Sequence, residues 1–225
     1  VGTHNPTMNA AVVLGGGGRF IAGFGNKEMS RGLYETVIEN YDDLLQIGKG
    51  STINYETVIA SGADLAILPE RQQDLVAQFE EIDMKALVAL PNEESFDSVT
   101  GSLTLLGKAL GVPERAQAIN DFFSDRIDHA KSITADLDAR QKVIFLGGSS
   151  QLSVAPAAMI QTQLIEVAGG VNAVTGVEGE GDFIDVNIEQ IIDWDPEVIW
   201  YPAYADYDAQ TLLDDPAWQA ITAVK

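Results

Sequence analysis

The sequence predicts an α/β protein of two lobes, each a parallel-rich sheet flanked by helices, joined by one long α-helix, with a ligand cleft between the lobes. Three observations predict this fold. A 17-residue phrase occurs twice, strand-like and helix-like segments alternate, and a long amphipathic segment separates the two copies. The 225 residues, 46% of them hydrophobic, suffice for two lobes with cores of their own.

The repeated phrase reads INYETVIASGADLAILP over residues 53–69 and VNIEQIIDWDPEVIWYP over residues 186–202, in register without a gap. Each copy has an Asn, a Glu two residues later, an apolar helical pattern and a strand-like run that ends in proline. Such a recurrence indicates two similar structural units. The first copy predicts a short helix over 54–61 and a buried strand over 64–68.

The N-terminal segment contains a glycine run, Gly15–Gly18, that could be taken for a phosphate-binding turn. A dinucleotide-binding motif has a strand before its glycines and a helix after them. Here residues 7–14 have the pattern of a helix and residues 19–25 that of a strand, so the order is reversed. The glycines are therefore predicted to end a helix, and nucleotide binding is not favoured.

The alternation continues after the first copy, with a helix expected over 72–82 and a strand over 85–89. This spacing is typical of a parallel sheet covered on both faces, whose ligands gather at the carboxyl ends of the strands. His4, Lys27 and Arg71 fall in loops near that edge.

The long helix is expected to begin at Pro113, after an amphipathic helix over 95–110, and to run to about Arg140. That is about 27 residues, or roughly 40 Å. Its apolar positions keep a helical spacing, so it can brace both lobes. The predicted domains are an N-terminal lobe (1–112), an interlobe helix (113–140) and a C-terminal lobe (141–225).

The C-terminal lobe begins with a buried strand over 143–148 and a polar loop over 149–153. A helix is expected over 156–167, ended by two glycines. A Gly- and acid-rich loop, the second copy of the phrase and a tyrosine loop then follow; their aromatic side chains include Phe183, Tyr201, Tyr204 and Tyr207.

The charge is strongly acidic, with 34 Asp and Glu against 13 Lys and Arg and a net charge of −21. Nucleic acid and anionic membrane surfaces bind clustered Lys and Arg, so neither is an expected partner. Between Lys142 and Lys225 there is no basic residue, while 13 acidic residues lie in that stretch. The cationic contacts to any anionic ligand must therefore come from the first half of the chain.

Catalytic options are few. The chain has no cysteine, which excludes disulfides and Cys-based metal sites and fits a secreted or periplasmic protein. Its histidines are His4 and His129, the latter on the long helix, and no Gly-x-Ser-x-Gly motif occurs. No catalytic residue and no metal site is predicted. Two alternatives stay open: an α/β enzyme that acts in the interlobe cleft with His4 or carboxylates, and a structural or adhesive module.

Binding options are better supported by the loops at the strand ends. Basic groups pair with anionic oxygens, while Tyr and Phe supply flat apolar walls. The first lobe offers His4, Lys27, Arg31 and Arg71, and the second offers Phe183, Tyr201, Tyr204 and Tyr207.

Glu56 and Glu189 occupy equivalent positions in the two copies, each two residues after an Asn at the start of a short helix. The helix dipole favours a carboxylate there, so helix capping alone can account for them. Alternatively, they form a matched pair of exposed anions that suits a two-fold symmetric partner.

Together with the repeated phrase, the AGGVN run over 168–172 and the WDPEVI run over 194–199 resemble the class III substrate-binding proteins of ABC importers. That family serves ferric siderophores, heme and cobalamin, and the resemblance covers essentially the whole chain. It implies a non-enzymatic, bilobal receptor without an intrinsic cofactor, which binds an iron chelate, heme or a corrinoid.

The resemblance also implies partners and location. Glu56 and Glu189 would dock on arginines of the two subunits of an ABC permease, and the protein would be a monomer that is exported, either periplasmic or extracellular and membrane-anchored. The chain is expected to be trimmed at both ends. Related metal-ion receptors use several cleft histidines, so a bare Zn or Mn ligand is not expected. The ligand-contact positions that the resemblance implies are Asn5, Lys27, Gly50, Arg71, Ser149, Phe183 and Tyr201.

Overall fold

The computed structural model describes residues 1–27, 32, 34–49, 52–92, 94–179 and 182–225. The chain divides into two compact units. Unit 1 comprises Val1–Asn92 and Asp97–Phe122, and unit 2 comprises Glu93–Phe96 and Phe123–Lys225. The predicted α/β class, with two units, parallel-rich sheets and one long helix, is confirmed. The domain limits set at residues 112 and 140 stay predictions.

Unit 1 alternates short strands with helices. Its strands are β1 (Gly23–Phe24), β2 (Leu45–Gln46), β3 (Gly48–Lys49), β4 (Thr52–Ile53), β5 (Leu65–Leu68) and β6 (Lys85–Val88). Its helices are α1 (Asn5–Gly15), α2 (Tyr55–Ala60), α3 (Val76–Glu81), almost all of α4 (Phe96–Ala109) and the first part of α5 (Pro113–Thr134).

The main sheet of unit 1 is parallel, as the alternation predicted. β1 pairs with β2, and β5 pairs with β6. Gly2 pairs in parallel with Phe24 on one side and with Ile67 on the other, so the first residues of the chain join the two pairs. The carboxyl ends of these strands therefore lie at one edge, called here the carboxyl edge of unit 1.

Both faces of this sheet are covered, as the alternation of side chains along β5 shows. Ile67 lies in a cluster with Phe24, while Ala66 and Leu68 lie in a second cluster with Phe79. Successive side chains of a strand point to opposite faces. Burial of these apolar side chains on both sides fixes the register of β5 and hence the position of the loop that follows it.

The glycine run ends α1, which confirms that prediction. Gly16 adopts a left-handed conformation (φ 68°, ψ 36°) that favours glycine at a helix C-terminus. The predicted strand over 19–25 is shorter than expected, because residues 18–20 form a 3₁₀ turn and only β1 remains extended.

The helix expected over 72–82 also starts later. Residues 70–75 form a 3₁₀ segment, and Gln72 has non-helical angles (φ −111°, ψ 15°), so α3 begins at Val76. The side chain of Gln72 is buried and accepts a hydrogen bond from the hydroxyl of Thr3. That contact holds the segment against the start of the chain.

Helix α5 begins in unit 1 and ends in unit 2. It has 22 residues, roughly 33 Å, and ends at Thr134 rather than near Arg140. Two causes explain the earlier end. Asp136 and Asp138 are unfavourable at the negative end of a helix dipole, and the guanidinium of Arg140 donates to the carbonyl of Thr134 (3.3 Å), which caps the last turn.

Unit 2 holds a parallel three-stranded sheet in the order β9–β7–β11 and an antiparallel pair β8–β10. Its strands are β7 (Lys142–Phe145), β8 (Ser153–Val154), β9 (Val171–Asn172), β10 (Ile184–Asp185) and β11 (Val198–Trp200), and its helices beyond α5 are α6 (Ile160–Val167), α7 (Ile188–Trp194) and α8 (Ala209–Asp214). The core includes Ile144, Leu146, Ile191 and Trp218.

Across the described residues, no helix combines the length and the apolar character needed to cross a membrane.

Candidate ligand-binding loops and repeated glutamates

The carboxyl edge of unit 1 brings His4 and Arg71 together, although 67 residues separate them in sequence. His4 follows the short parallel segment at Gly2, and Arg71 follows β5, which pairs with that segment. Adjacent parallel strands end side by side, so their following loops meet. Nη2 of Arg71 lies 2.5 Å from Nε2 of His4.

The contact with Arg71 requires that Nε2 of His4 carries no proton. A guanidinium has donors and no acceptor, so Nε2 of His4 must accept the hydrogen bond from Arg71. The other ring nitrogen, Nδ1, is buried, and the described part of the chain offers it no hydrogen-bond partner. The guanidinium of Arg71 itself belongs to an exposed residue.

His4 is held neutral at this position. Burial, and next the positive charge of Arg71, lower the pKa of His4 to about 4. Near neutral pH the pair therefore bears a single positive charge, on Arg71.

Thr3 and Gln72 explain why the two loops stay together. The Thr3 hydroxyl donates to the side-chain oxygen of Gln72, and its backbone N–H donates to the carbonyl of Ile67 (3.1 Å). Thr3 is 0% and Gln72 4% exposed. Buried hydrogen bonds of this kind are costly to break, so the residues next to them, His4 and Arg71, have a rigid base.

Asn5, the first residue of α1, lies beside His4 at the same edge. Its backbone carbonyl accepts from the hydroxyl of Tyr34 (3.3 Å), and that hydroxyl also contacts Oδ1 of Asn9 (2.6 Å). Burial, with a smaller effect of Tyr41, raises the pKa of Tyr34 to about 12. The side-chain Oδ1 of Asn5 is buried, and no hydrogen-bond partner for it occurs among the described residues.

Lys27 follows β1 at the same edge, but its ammonium contacts the chain itself. Nζ donates to the carbonyls of Leu44 (2.7 Å) and Asp42 (3.0 Å) and lies 4.8 Å from the ring centroid of Tyr41. Lys27 therefore holds the loop before β2 in place. Its predicted contact with a ligand stays a prediction, and the predicted site residues Arg31 and Gly50 lie outside the described residues.

The carboxyl end of β7 in unit 2 is surrounded by tyrosines. The hydroxyl of Tyr207 donates to the carbonyl of Gly147 (2.6 Å), and its ring lies 5.4 Å from that of Tyr201. Burial and, to a smaller extent, Tyr201 raise the pKa of Tyr207 to about 12. Tyr204 is 56% exposed, and its ring lies against Gly148, where a Cβ would meet it at 2.5 Å.

The other predicted residues of unit 2 lie near the same strand end. Phe183 packs against Phe145, the last residue of β7, with ring centroids 6.1 Å apart. Ser149 lines a cavity of about 490 Å³ together with Tyr207 and Trp218. The structure thus gathers Ser149, Phe183, Tyr201 and Tyr204 around one end of the unit 2 sheet, while their contact with a ligand stays a prediction.

The two copies of the repeated phrase have the same local structure. Oδ1 of Asn54 accepts from the N–H of Thr57 (3.0 Å), and Oδ1 of Asn187 accepts from the N–H of Gln190 (2.8 Å), so each Asn caps its helix. Two residues after each Asn, Glu56 and Glu189 lie in the first turns of α2 and α7, and both are exposed.

The two copies also agree in which helix residue is buried and in the backbone conformation that follows the helix. Val58 and Ile191, at equivalent positions, are both 0% exposed. Gly62 and Asp195, again equivalent, both have positive φ, at 67° and 44°. Asp is one of the few non-glycine residue types that visit this conformation. The carboxylate of Asp195 also accepts from the N–H (2.8 Å) and hydroxyl (3.0 Å) of Thr222, hydrogen bonds that lower its pKa.

No group of three or more His, Cys, Asp or Glu side chains with the geometry of a metal site occurs within the described ranges. The carboxyl edge of unit 1 instead combines a cation, a neutral imidazole and an amide. Such groups can hydrogen-bond an anionic or polar ligand.

Sequence reasoning missed some residues that shape these loops. Gln72 and Tyr34 lie in loops or 3₁₀ turns, where no periodicity shows which way a side chain points. Tyr207 was among the predicted binding candidates, but only its hydrogen bond to Gly147 shows that it supports the strand end.

Comparisons with known proteins bear on the family and the fold of the chain. A family model described as periplasmic binding protein matches residues 10–225. No curated protein matches the chain.

Solved structures share the fold at low sequence identity. A periplasmic solute binding protein from Veillonella parvula is 20% identical, with a TM-score of 0.81, covering 100% of this chain and 70% of that one. The heme-binding protein RhuT from Roseiflexus sp. RS-1 is 19% identical, with a TM-score of 0.81, covering 99% and 84%. The molybdate-binding protein MolA from Haemophilus influenzae is 15% identical, with a TM-score of 0.82, covering 100% and 74%.

Proposed function

The chain belongs to the periplasmic binding protein family, and from this premise we propose that it is an exported, non-enzymatic receptor that captures an iron chelate or heme and delivers it to an ABC permease. The observation that carries the proposal is the repeated helix start. Two separate units each present an Asn cap and an exposed Glu in the first turn of an equivalent helix. A permease with two similar subunits can bind such a matched pair.

The chemistry of the loops supports the ligand class. The carboxyl edge of unit 1 presents an exposed guanidinium at Arg71, and the strand end of unit 2 presents the half-exposed ring of Tyr204. An arginine suits anionic oxygens and an aromatic ring suits the flat apolar part of a chelate or porphyrin. Among the structural neighbours, RhuT is a heme-binding protein and MolA was crystallised with molybdate, so the fold accommodates both kinds of group.

The enzyme alternative has less support. A general base works best when its pKa lies near the operating pH, and the pKa of His4 is lowered to about 4. Nε2 of His4 is engaged by Arg71 and Nδ1 is buried, so neither nitrogen is placed to take a proton from a substrate. Export, a membrane anchor, a monomeric state and cobalamin as a ligand all stay predictions.

A thermal-shift panel tests this function. The probes are a ferric tris-catecholate, a ferric tris-hydroxamate, hemin, cobalamin and molybdate, with each iron-free chelator as a control. A ligand present at 100 times its Kd stabilises the native state by about 2.7 kcal/mol, which for a chain of this size raises Tm by about 5–10 °C. A shift with an iron complex and none with its iron-free form supports the proposal. No shift with any iron complex or hemin contradicts it.

A further inference from the structure

We infer that His4 acts as a positioning residue for Arg71, which contacts an anionic oxygen of the ligand, and that His4 does not coordinate the ligand's iron. The inference rests on the proposed function and deepens it, because it assigns the ligand a chemical feature. That feature is an anionic oxygen, such as a catecholate or a porphyrin carboxylate, at the carboxyl edge of unit 1.

The first argument concerns the lone pairs of the imidazole. To bind iron, a histidine needs a nitrogen with a lone pair directed at the metal. Nε2 of His4 uses its lone pair to accept from Nη2 of Arg71 at 2.5 Å. Because Nε2 accepts, the neutral ring carries its proton on Nδ1, so this buried nitrogen has no lone pair to offer a metal. Neither nitrogen is therefore offered to a metal ion.

The second argument concerns the charge of Arg71. Arg71 is exposed, and in the described part of the chain its guanidinium contacts His4, a neutral group, and no carboxylate. Its neighbour Glu70 is engaged elsewhere, since Oε2 of Glu70 accepts from the N–H of Asn92 (2.8 Å). In a chain with a net charge of −21, an arginine at a strand end that is not neutralised by a carboxylate favours an anionic ligand.

The third argument concerns geometry. A guanidinium has five N–H donors, and the contact with Nε2 uses one of them. The remaining donors can make a bidentate contact with a carboxylate or with adjacent catecholate oxygens. Because Arg is a long side chain that loses rotamer freedom on binding, a partner that fixes it beforehand increases affinity. His4 is such a partner, since it is the N-cap residue of α1 and lies next to the buried Thr3.

The low basicity of His4 fits this role. Burial and the charge of Arg71 lower its pKa to about 4. A neutral imidazole can accept from Arg71, whereas a protonated one has two donors and would repel it. Heme, if it is the ligand, would then place a carboxylate on Arg71 and take its iron ligand from another residue or from solvent.

The test compares two ferric complexes of similar size and different charge, a tris-catecholate (charge 3−) and a neutral tris-hydroxamate, and adds hemin as a carboxylate-bearing probe. The variants are Arg71→Gln, His4→Ala and His4→Gln. Gln can accept from Arg71 through its side-chain oxygen, so it should retain the positioning that Ala loses. The matched control is Arg19→Gln, which removes an exposed charge in the same unit, where the guanidinium stacks on Phe20. Thermal unfolding of each variant checks that it is folded.

We expect Arg71→Gln to weaken binding of the tris-catecholate, and of hemin if it binds, by at least about tenfold. Binding of the tris-hydroxamate should change by less than about twofold. His4→Ala should weaken the tris-catecholate by less than Arg71→Gln does, His4→Gln should restore part of the loss, and the double variant should be no weaker than Arg71→Gln alone. The Soret band of bound hemin should be the same with and without His4.

Three results would overturn the inference while the proposed function stands. The first is an equal loss of affinity for both ferric complexes in Arg71→Gln, and the second is a Soret shift in His4→Ala. The third is that the wild-type chain binds the tris-hydroxamate but neither the tris-catecholate nor hemin. If the wild-type chain binds none of the three probes, the proposed function fails and the inference fails with it.

Discussion

Asn54 and Asn187 cap their helices with the same hydrogen bond, each accepting from the N–H three residues further on, at 3.0 and 2.8 Å. The equivalence extends to the exposed Glu56 and Glu189 in the first turns. Capping explains the asparagines fully. Neither glutamate makes a hydrogen bond to its helix in the described part of the chain, so their local contribution is limited to the helix dipole.

Charge reversal at Glu56 and Glu189 should abolish uptake of the ligand by cells that carry the cognate permease. The reason is the loss of both anions that would meet basic sockets on the permease. Ligand affinity of the isolated protein should stay within about twofold, and each change should cost about 0.3–1 kcal/mol of stability through the helix dipole.

Glu114→Lys provides the matched control, because Glu114 is also an exposed acid in the first turn of a helix, α5, but lies outside the repeat. It should lose similar stability and leave uptake intact. Loss of uptake in Glu114→Lys as well, or loss of ligand affinity in the double reversal, would refute the docking role.

His4 should make the protein less stable in acid. Its folded pKa is about 4 and its usual value is 6.5, so between these values the unfolded chain binds more protons than the native state. Stability is therefore full above about pH 6.5 and falls as the pH drops toward about 4. Because His4 is partly open to solvent, the loss of stability is limited to about 1–2 kcal/mol.

Urea unfolding of the wild-type chain and of His4→Gln at about pH 7 and about pH 4.5 measures this effect, because the carboxylates titrate alike in both proteins. The wild type should lose more stability than His4→Gln between the two pH values. Equal losses would mean that His4 is not held neutral.

Gly148→Ala should change ligand affinity more than stability. A Cβ at this position would meet the Tyr204 ring at 2.5 Å, and the ring, at 56% exposure, can turn away. The ring of a predicted ligand-binding residue is thereby displaced. Fluorescence-detected binding and thermal unfolding should show a several-fold change in Kd with a Tm loss below about 2 °C.

Gly147→Ala is the comparison, since its Cβ would lie 3.1 Å from Cβ of the buried Ser153. That neighbour is short and held in β8, so the cost should appear mainly in Tm. If Gly148→Ala lowered mainly Tm and Gly147→Ala changed mainly Kd, the assigned positions of these loops would be contradicted.

Tyr207→Phe should destabilise unit 2 by about 1–2 kcal/mol, because the carbonyl of Gly147 loses the hydroxyl donor at 2.6 Å. For a chain of this size the Tm should fall by about 2–8 °C. Tyr204→Phe is the comparison in the same loop, where the ring is exposed, and it should lower Tm by less than Tyr207→Phe does. Equal Tm values for Tyr207→Phe and the wild type would show that the phenol does not support the strand end.

The sequence was informative where local chemistry decides the structure. The Asn caps of α2 and α7, the strand after each helix and the helix end at Gly16 all follow from residue types at fixed spacing. The α/β class followed from the alternation of these elements.

The candidate site was less predictable, because it depends on side-chain directions across distant loops. Both His4 and Arg71 were identified, but only the parallel pairing of Gly2 with Ile67 brings them within 2.5 Å. The predicted contact of Lys27 with a ligand stays a prediction, but the contacts of its ammonium with the carbonyls of Asp42 and Leu44 were not foreseen. The end of α5 at Thr134 depends on a cap from Arg140, which apolar periodicity does not reveal.

The central claim is that the protein binds an iron complex or heme without transforming it. Recovery of the bound complex tests this claim most directly. The chain is incubated with a ferric tris-catecholate, a ferric tris-hydroxamate or hemin and separated by gel filtration, and the bound ligand is quantified and analysed by mass spectrometry after release. The account predicts one ligand per chain for at least one of these probes, recovered chemically unchanged. No co-eluting ligand with any probe, or recovery of a converted product, would contradict it.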